Sequence, residues 1–320
     1  MPLTVGTVTR RDEARTARLP AMSALRISAP VARAIAAGQP IVALESSVLA
    51  QGLPIPANRQ AAEQMNAAVE RSGAVPAITA VIRGQPSVGL EGEDLERFLA
   101  RSGVRKVSAR DLAVASVQGA DGATTVAASL CIAGGAGLTV FATGGIGGVH
   151  RDAPYDESAD LHQLARTPMV VVCAGAKSIL DVAATLERLE SLGVTVVGYR
   201  TSEMPGFFTR STGLALSARV ESPAEIATIY RASRELGRSQ AILVVQPPPA
   251  ELALPGDQVD EAVVTALGEA RRSGISGAAV TPFLLAAVER ATGGRSLRTN
   301  LGLLEENAAL AGEIAREIGR

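Results

Sequence analysis

The sequence predicts an α/β fold, a three-layer α/β/α arrangement around a central, largely parallel sheet. Two observations carry this expectation. Short apolar runs alternate with amphipathic stretches along most of the 320 residues, as in strands joined by crossover helices. Residues 169–198 also read as a complete βαβ unit: a strand Met169–Cys173, a tight turn Ala174–Ser178, an amphipathic helix Ile179–Leu192 closed by Gly193, and a strand Val194–Gly198.

The remaining elements follow the same grammar. A short helix, Ala29–Ala37, stops at Gly38, and a strand Ile41–Leu44 runs into Glu45-Ser46-Ser47. Asn58–Arg71 reads as a helix stopped by Gly73, Ile78–Ile82 as a strand and Glu93–Ala100 as a short helix. Thr124–Ala133 is small and apolar, a packed helix, and Leu138–Thr143 is a strand opening into Gly144-Gly145-Ile146-Gly147-Gly148. A helix Pro223–Leu236, a strand Ala241–Val245, a Pro247-Pro248-Pro249 stop and a helix Gln258–Ser273 come next. Two helices, about Pro282–Ala291 and Asn300–Ile318, close the chain. No repeat or low-complexity linker divides the middle. The expected organisation is a disordered arm over residues 1–25, with Met22 as an alternative start, followed by one domain over 26–320.

Composition narrows the function. Net charge is −1, which leaves no electrostatic footprint for nucleic acid or an anionic membrane. No apolar run is long enough to span a bilayer, and the N-terminus carries charge of both signs without the apolar core of a secretory signal. Cys131 and Cys173 both lie in apolar stretches and read as buried, reduced thiols. These features suit a cytoplasmic enzyme acting on a small molecule. Aromatic residues make up 2% and Trp is absent, so the core must be built from Ala, Val, Leu and Ile.

Of 31 basic residues, only Lys106 and Lys177 are lysines. A drift toward arginine would spare lysine where guanidinium fails, because an amine can lose its proton and attack a carbonyl. The alternative is chance survival on the surface. Lys177 follows a strand and lies at or near a predicted helix start. Strand ends gather active sites in open α/β sheets, and a helix N-terminus disfavours an ammonium. An ion pair with Asp181 is the structural alternative. Glu45 ends an apolar strand, as a general acid/base or as a cap for the next turn. The glycine run before His150 is either a phosphate loop or a tight turn; it matches neither a dinucleotide fingerprint nor a Walker loop. Asp156, Ser158 and Asp160 form an alternating polar cluster suited to a hard divalent cation or to a solvated turn. Lys106 can clamp a phosphate together with Thr124, Thr125 and Val126 at the start of the following helix.

Taken together, several ordered blocks resemble the pseudouridine-5′-phosphate glycosidase family, which includes proteins of the indigoidine-cluster type. They include Val42-Ala43-Leu44-Glu45-Ser46, Lys106-Val107-Ser108, Gly122-Ala123-Thr124-Thr125-Val126-Ala127, Phe141 through Arg151, Ser158-Ala159-Asp160-Leu161, Val172 through Asp181 and Thr281-Pro282-Phe283-Leu284-Leu285. The resemblance runs from about residue 26 to the C-terminus. It implies reversible cleavage of pseudouridine 5′-phosphate to uracil and ribose 5-phosphate, with a divalent cation such as Mn2+, in a homotrimer. By matching motifs, Lys177 is the nucleophile, Glu45 the proton donor and Asp156 the metal ligand. Lys106, Thr125, Val126, His150, Ser158, Ala159, Asp160 and Asn300 contact the substrate. The chain departs from the family pattern in a shorter loop between Arg151 and Asp156, in Asp156-Glu157-Ser158 where the family has Asp-Ile-Ser, in Gln51-Gly52 for His-Gly and in Gln246-Pro247 for Asn-Pro.

The chemistry explains the residue types. The leaving atom is carbon C5 of uracil, so an acid must protonate it, a role suited to Glu45. The sugar carbon C1′ suits an amine, which forms an imine with opened ribose that water then hydrolyses. Another Schiff-base lyase or aldolase on sugar phosphates would use the same lysine, and a non-catalytic sugar-phosphate sensor would use the same binding groups.

Overall fold

In a computed structural model that describes residues 25–151, 155–275 and 280–320, the apolar runs Ile41–Leu44, Val170–Cys173 and Ile242–Val245 become strands buried along their whole length. The arm expected over residues 1–25 falls, apart from Leu25, outside the described residues. The element order is β1 (Arg26–Ile27), α1 (Ala29–Ala36), β2 (Ile41–Leu44), α2 (Ala57–Arg71), β3 (Val75–Ile82), β4 (Gln85–Val88), α3 (Gly92–Leu99), β5 (Arg105–Val107), α4 (Leu112–Val117), β6 (Gly122–Thr124), α5 (Val126–Gly135), β7 (Val140–Ala142) and β8 (Val149–His150). It continues with α6 (Ala159–Leu164), β9 (Val170–Cys173), β10 (Leu180–Asp181), α7 (Val182–Ser191), β11 (Thr195–Tyr199), β12 (Arg219–Val220), α8 (Pro223–Glu235), β13 (Ile242–Val245), α9 (Gly256–Arg272), α10 (Val280–Ala291) and α11 (Arg295–Ile318).

The centre of the sheet runs in the order β3-β2-β7-β9-β13-β11-β12, and every neighbouring pair in that run is parallel. Among the described strands, antiparallel ladders join β4 and β6 to β3 and β8 to β10. Successive side chains of a strand point to opposite faces. All four residues of β2, β9 and β13 are buried, so helices must cover both faces. Helix α11 packs against α2 and α8 and over β2, β7 and β9, while α5 packs with α6 and over β2 and β3.

With so few aromatics, packing relies on close approach rather than bulk. Gly312 of α11 shows this: a Cβ there would collide with the Ser72 side chain at the end of α2. Where the sequence expectation misplaces an element, tertiary pairing is the cause. Thr124 was expected inside a helix, but Gly122–Thr124 pairs with both β3 and β5, and Thr125 becomes the N-cap of α5, accepting from the Ala128 N–H at 3.4 Å. The final helix begins at Arg295 rather than Asn300.

A buried hydroxyl cluster ties β2, β3, β6 and α5 together. Thr79 Oγ1 donates to Ser129 Oγ at 2.8 Å, the Thr124 N–H donates to Ser46 Oγ at 2.9 Å, and Thr124 Oγ1 donates to the Thr79 carbonyl at 2.8 Å. Each of these side chains is fully buried, and satisfied buried polar groups fix register where apolar packing alone would allow slippage. Urea unfolding tests the close α2–α11 contact. Gly312→Ala should destabilise the protein by about 1–3 kcal/mol, and Ser72→Gly in the same chain should recover part of that loss.

Candidate active site

Three adjacent parallel strands, β2, β7 and β9, end together, and their carboxyl ends supply Glu45, the Gly144–Gly148 loop and the Ala174–Lys177 turn. Glu45 is 5% exposed. Thr143 Oγ1 donates to its Oε1 at 2.5 Å, and Ser47 Oγ donates to its Oε2. A hydroxyl can turn to accept as well as donate, so these two partners can hold either protonation state of the carboxyl group in one orientation.

The glycine loop and the strand that follows it act as a scaffold. The N–H groups of Ile146, Gly147, Val149 and His150 donate, respectively, to the Gly175 carbonyl, Asp160, Thr185 Oγ1 and the Asp156 carbonyl. Beside it, the Ala174 N–H donates to the Gly144 carbonyl at 2.8 Å and the Lys177 N–H to the Ile146 carbonyl at 3.1 Å. The turn needs Gly175 at φ +90, a conformation that side chains resist.

Lys177 lies in this turn, not at a helix start. Leu180–Asp181 forms a strand against Val149–His150, and α7 begins only at Val182. The helix-dipole argument for Lys177 therefore falls away. So does the structural alternative, an ion pair with Asp181: the Asp181 carboxylate caps α7 by accepting from the Ala184 N–H at 2.9 Å, and no ion pair involves Lys177 among the described residues. Arg151 braces the segment from behind, donating to the Leu180 carbonyl through Nε and to the Ser178 carbonyl through an Nη, both at 3.1 Å. Lys177 itself is half-buried.

Strand β5 pairs in parallel with β6, with Lys106 opposite Ala123, which sets Lys106 beside the start of α5. Its side chain is solvent-exposed at the cavity mouth. Desolvation by the surrounding groups, then the charge of Lys177, hold its pKa below the usual lysine value, against the opposing pull of Glu45 and Asp160. Asp160, 5% exposed, accepts from the Ala127 N–H at 2.9 Å and the Gly147 N–H at 2.8 Å, one on each oxygen. It clasps the α5 start to the glycine loop. Ser158 caps α6, accepting from the Asp160 N–H at 3.2 Å.

Two cavities meet at Glu45, Ser47, Lys106, Lys177 and Thr281. The polar one, about 280 Å³, is also lined by Thr125, Val126, His150, Asp156, Ser158, Ala159 and Asp160, together with Ser108 and Arg110. The narrow one, about 40 Å³, adds Gln51, Phe207, Leu285 and Asn300. All the candidate site residues thus line one or both. A larger cleft, about 610 Å³, lies on the far side of Arg151 and contains neither lysine nor Glu45, so size alone does not locate the chemistry.

Among the described residues four carboxylates line the polar cavity, and Glu45 is held by its two hydroxyl partners. That of Asp160 is committed to backbone N–H groups, and Glu157 Oε2 accepts from Arg188 Nε at 2.9 Å. Asp156 is exposed and its side chain has no hydrogen-bond partner among the described residues. No group of three His, Cys, Asp or Glu side chains among the described residues is arranged to hold a metal. One free carboxylate fits a hard cation that keeps most of its water. Cys173 offers no rival nucleophile, since burial pushes its thiol up to about 12.

Residue-by-residue reading missed several participants. Ser47 and Thr143 orient Glu45, and Asn307 donates to the Thr143 carbonyl at 2.9 Å. Phe207 lines the narrow cavity at φ +67, a strained conformation for an aromatic residue that no local pattern announces.

The chain matches the "Indigoidine synthase A like protein" family over residues 30–317. It is 63% identical over 290 residues to the pseudouridine-5′-phosphate glycosidase of Gemmatimonas aurantiaca, covering 91% of this chain and 95% of that one. It is 48% identical to the protein of that name from Myxococcus xanthus, covering 91% and 97%. Among solved structures it resembles the prealnumycin C-glycosynthase in complex with ribulose 5-phosphate, with TM-score 0.85, 38% identity and coverage of 92% and 97%. An indigoidine synthase A-like protein of Thermotoga maritima gives TM-score 0.85 at 35% identity, with coverage of 92% and 97%.

The clasp role of Asp160 has a direct thermal test. Asp160→Asn must present an NH2 group to one of the two backbone N–H donors. Thermal unfolding should show a loss of about 1–3 kcal/mol, with the secondary-structure signal unchanged.

Proposed function

The chain belongs to the indigoidine synthase A-like family and is a pseudouridine-5′-phosphate glycosidase, and on that premise we propose that Lys177 and Glu45 divide its chemistry between them. The reaction is the reversible cleavage of the C–C glycosidic bond of pseudouridine 5′-phosphate to uracil and ribose 5-phosphate, with net consumption of one water. The observation that carries the division of labour is that both residues open onto the same two cavities.

In the cleavage direction the C1′–C5 bond breaks with its electron pair on C5, and C5 takes the proton carried by Glu45. The uncharged Lys177 amine bonds to C1′, and loss of its proton and opening of the ribose ring give an imine. Water adds to that imine, expelling the amine and releasing ribose 5-phosphate. Ser47 and Thr143 keep Glu45 aimed throughout. Lys106 supplies positive charge for the phosphate beside the α5 N-terminus, where Thr125 and Val126 lie. His150, Ser158, Ala159 and Asp160 complete the sugar-phosphate wall. Asn300, buried with no hydrogen-bond partner among the described residues, leaves its amide for the substrate.

Asp156 would hold a divalent cation, taken as Mn2+ from the family resemblance. When bound it supplies a polarised water shell beside the sugar phosphate. The free thiols of Cys131 and Cys173 support a reducing, cytoplasmic setting, and no helix among the described residues is long and apolar enough to cross a membrane. Assembly as a homotrimer follows from the resemblance.

Lys177→Ala should fold normally and lose at least about 10³-fold in turnover, measured as uracil release. Borohydride added during wild-type turnover should fix a ribose phosphate adduct on Lys177; an unmodified Lys177 with an active variant would overturn the role. Because the Lys106 pKa is lowered, its ammonium is lost at a lower pH than that of an ordinary lysine. The alkaline fall of kcat/KM should therefore move to higher pH in Lys106→Arg, whose cation persists. Mn2+ binding followed by its paramagnetic spectrum should weaken in Asp156→Asn while thermal stability is unchanged.

A further inference from the structure

The narrow cavity holding Glu45 and Lys177 is a waist, open on two sides. One side is the polar cavity with Lys106, Arg110, His150 and Asp156. The other is a separate cleft of about 270 Å³ that shares Gln51, Gly52, Pro282, Leu285 and Asn300 with the waist. One wall of this cleft is the segment Gln51–Pro54. The opposite wall is the face of α10 carrying Pro282, Leu285, Ala286 and Glu289.

The two ends differ in chemistry. The polar end gathers two cations, a free carboxylate and hydroxyls, which suits a sugar phosphate and a hydrated cation. The cleft is walled by proline and leucine side chains, and two amides stand at its inner end. The Gln51 Oε1 atom is buried there with no hydrogen-bond partner among the described residues, while its Nε2 donates to the Val104 carbonyl at 3.4 Å. The Arg101 guanidinium at the cleft is engaged by the Leu53 carbonyl, and Glu289 adds a negative charge. Such a lining admits a planar, neutral molecule with N–H groups.

Resting on the glycosidase reading above, we propose that this cleft is the passage of the nucleobase, with Gln51 Oε1 accepting from a uracil N–H at its inner end. The scissile bond joins base to sugar, so a substrate reaching both Glu45 and Lys177 spans the waist. With its phosphate at the polar end, its base points toward Gln51. After cleavage, uracil leaves between Gln51–Pro54 and α10 without passing the bound sugar phosphate, and in the reverse reaction it enters the same way. Position 51 is also where this chain carries Gln in place of the histidine expected from the family pattern.

The test uses synthesis of pseudouridine 5′-phosphate from uracil and ribose 5-phosphate, varying each substrate in turn. Ala286 is exposed on α10 and Glu289 is half-buried, and both line the cleft but not the waist, so Ala286→Trp and Glu289→Trp each narrow the cleft from the helix side. The expected result is a rise in KM for uracil of about tenfold or more, with KM for ribose 5-phosphate held within about twofold. Unchanged uracil KM in the folded variants, or a parallel rise in both KM values, would overturn the passage. A wild-type enzyme inactive in both directions would instead remove the glycosidase reading, and the passage with it.

Discussion

The Gly144–Gly148 loop and the Ala174–Lys177 turn continue the parallel pairing of β7 and β9 past the ends of those strands. The Ala174, Ile146 and Lys177 N–H groups donate in turn to the Gly144, Gly175 and Ile146 carbonyls, so the two segments behave as one stiff ribbon. Everything at the site hangs from it. The loop side places Thr143 against Glu45, the turn side carries Lys177, and Asp160 ties the ribbon across to the start of α5. A helix terminus was the expected support for the lysine; a strand extension does the work instead, and it fixes the backbone on both sides of the residue.

The acids around the cavity show how a crowded electrostatic site divides its labour. Asp160 gives both oxygens to backbone N–H groups, Glu157 to an arginine, and Glu45 to two hydroxyls. Among the described residues only Asp156 faces the polar cavity uncommitted. The same carboxylate group thus serves as clasp, brace, positioned acid and open ligand, and the difference lies in what each one already holds. The two lysines stand among these acids as the cationic counterpart, and their mutual repulsion is one cause of the lowered Lys106 pKa.

Much of this architecture is legible along the chain, because parallel strands buried on both faces read as uninterrupted apolar runs and their helices carry glycine stops. Glu45 and Lys177 stand out for the same reason: each breaks the pattern at a strand end. The features that escaped reading depend on partners distant in sequence. The Gly122–Thr124 strand exists because β3 and β5 flank it. The delayed start of α7 reflects pairing of Leu180 with His150, 30 residues upstream by numbering. Asn307 reaches the Thr143 carbonyl from the last helix, and nothing near either residue in the sequence announces the bond. The commitment of Asp160 to backbone donors is likewise invisible until the loop and helix are brought together.

The scarcity of lysine has a consequence beyond catalysis. Both side-chain amines of the chain border a single cavity, and every other cation is a guanidinium. Apart from Lys106, exposed at the cavity mouth, the outer surface therefore offers electrophiles no side-chain amine to modify. Aldehydes and activated esters that acylate or cross-link most proteins at scattered places find their side-chain targets here only at the reaction centre, so adventitious amine damage to this molecule falls directly on its catalytic power.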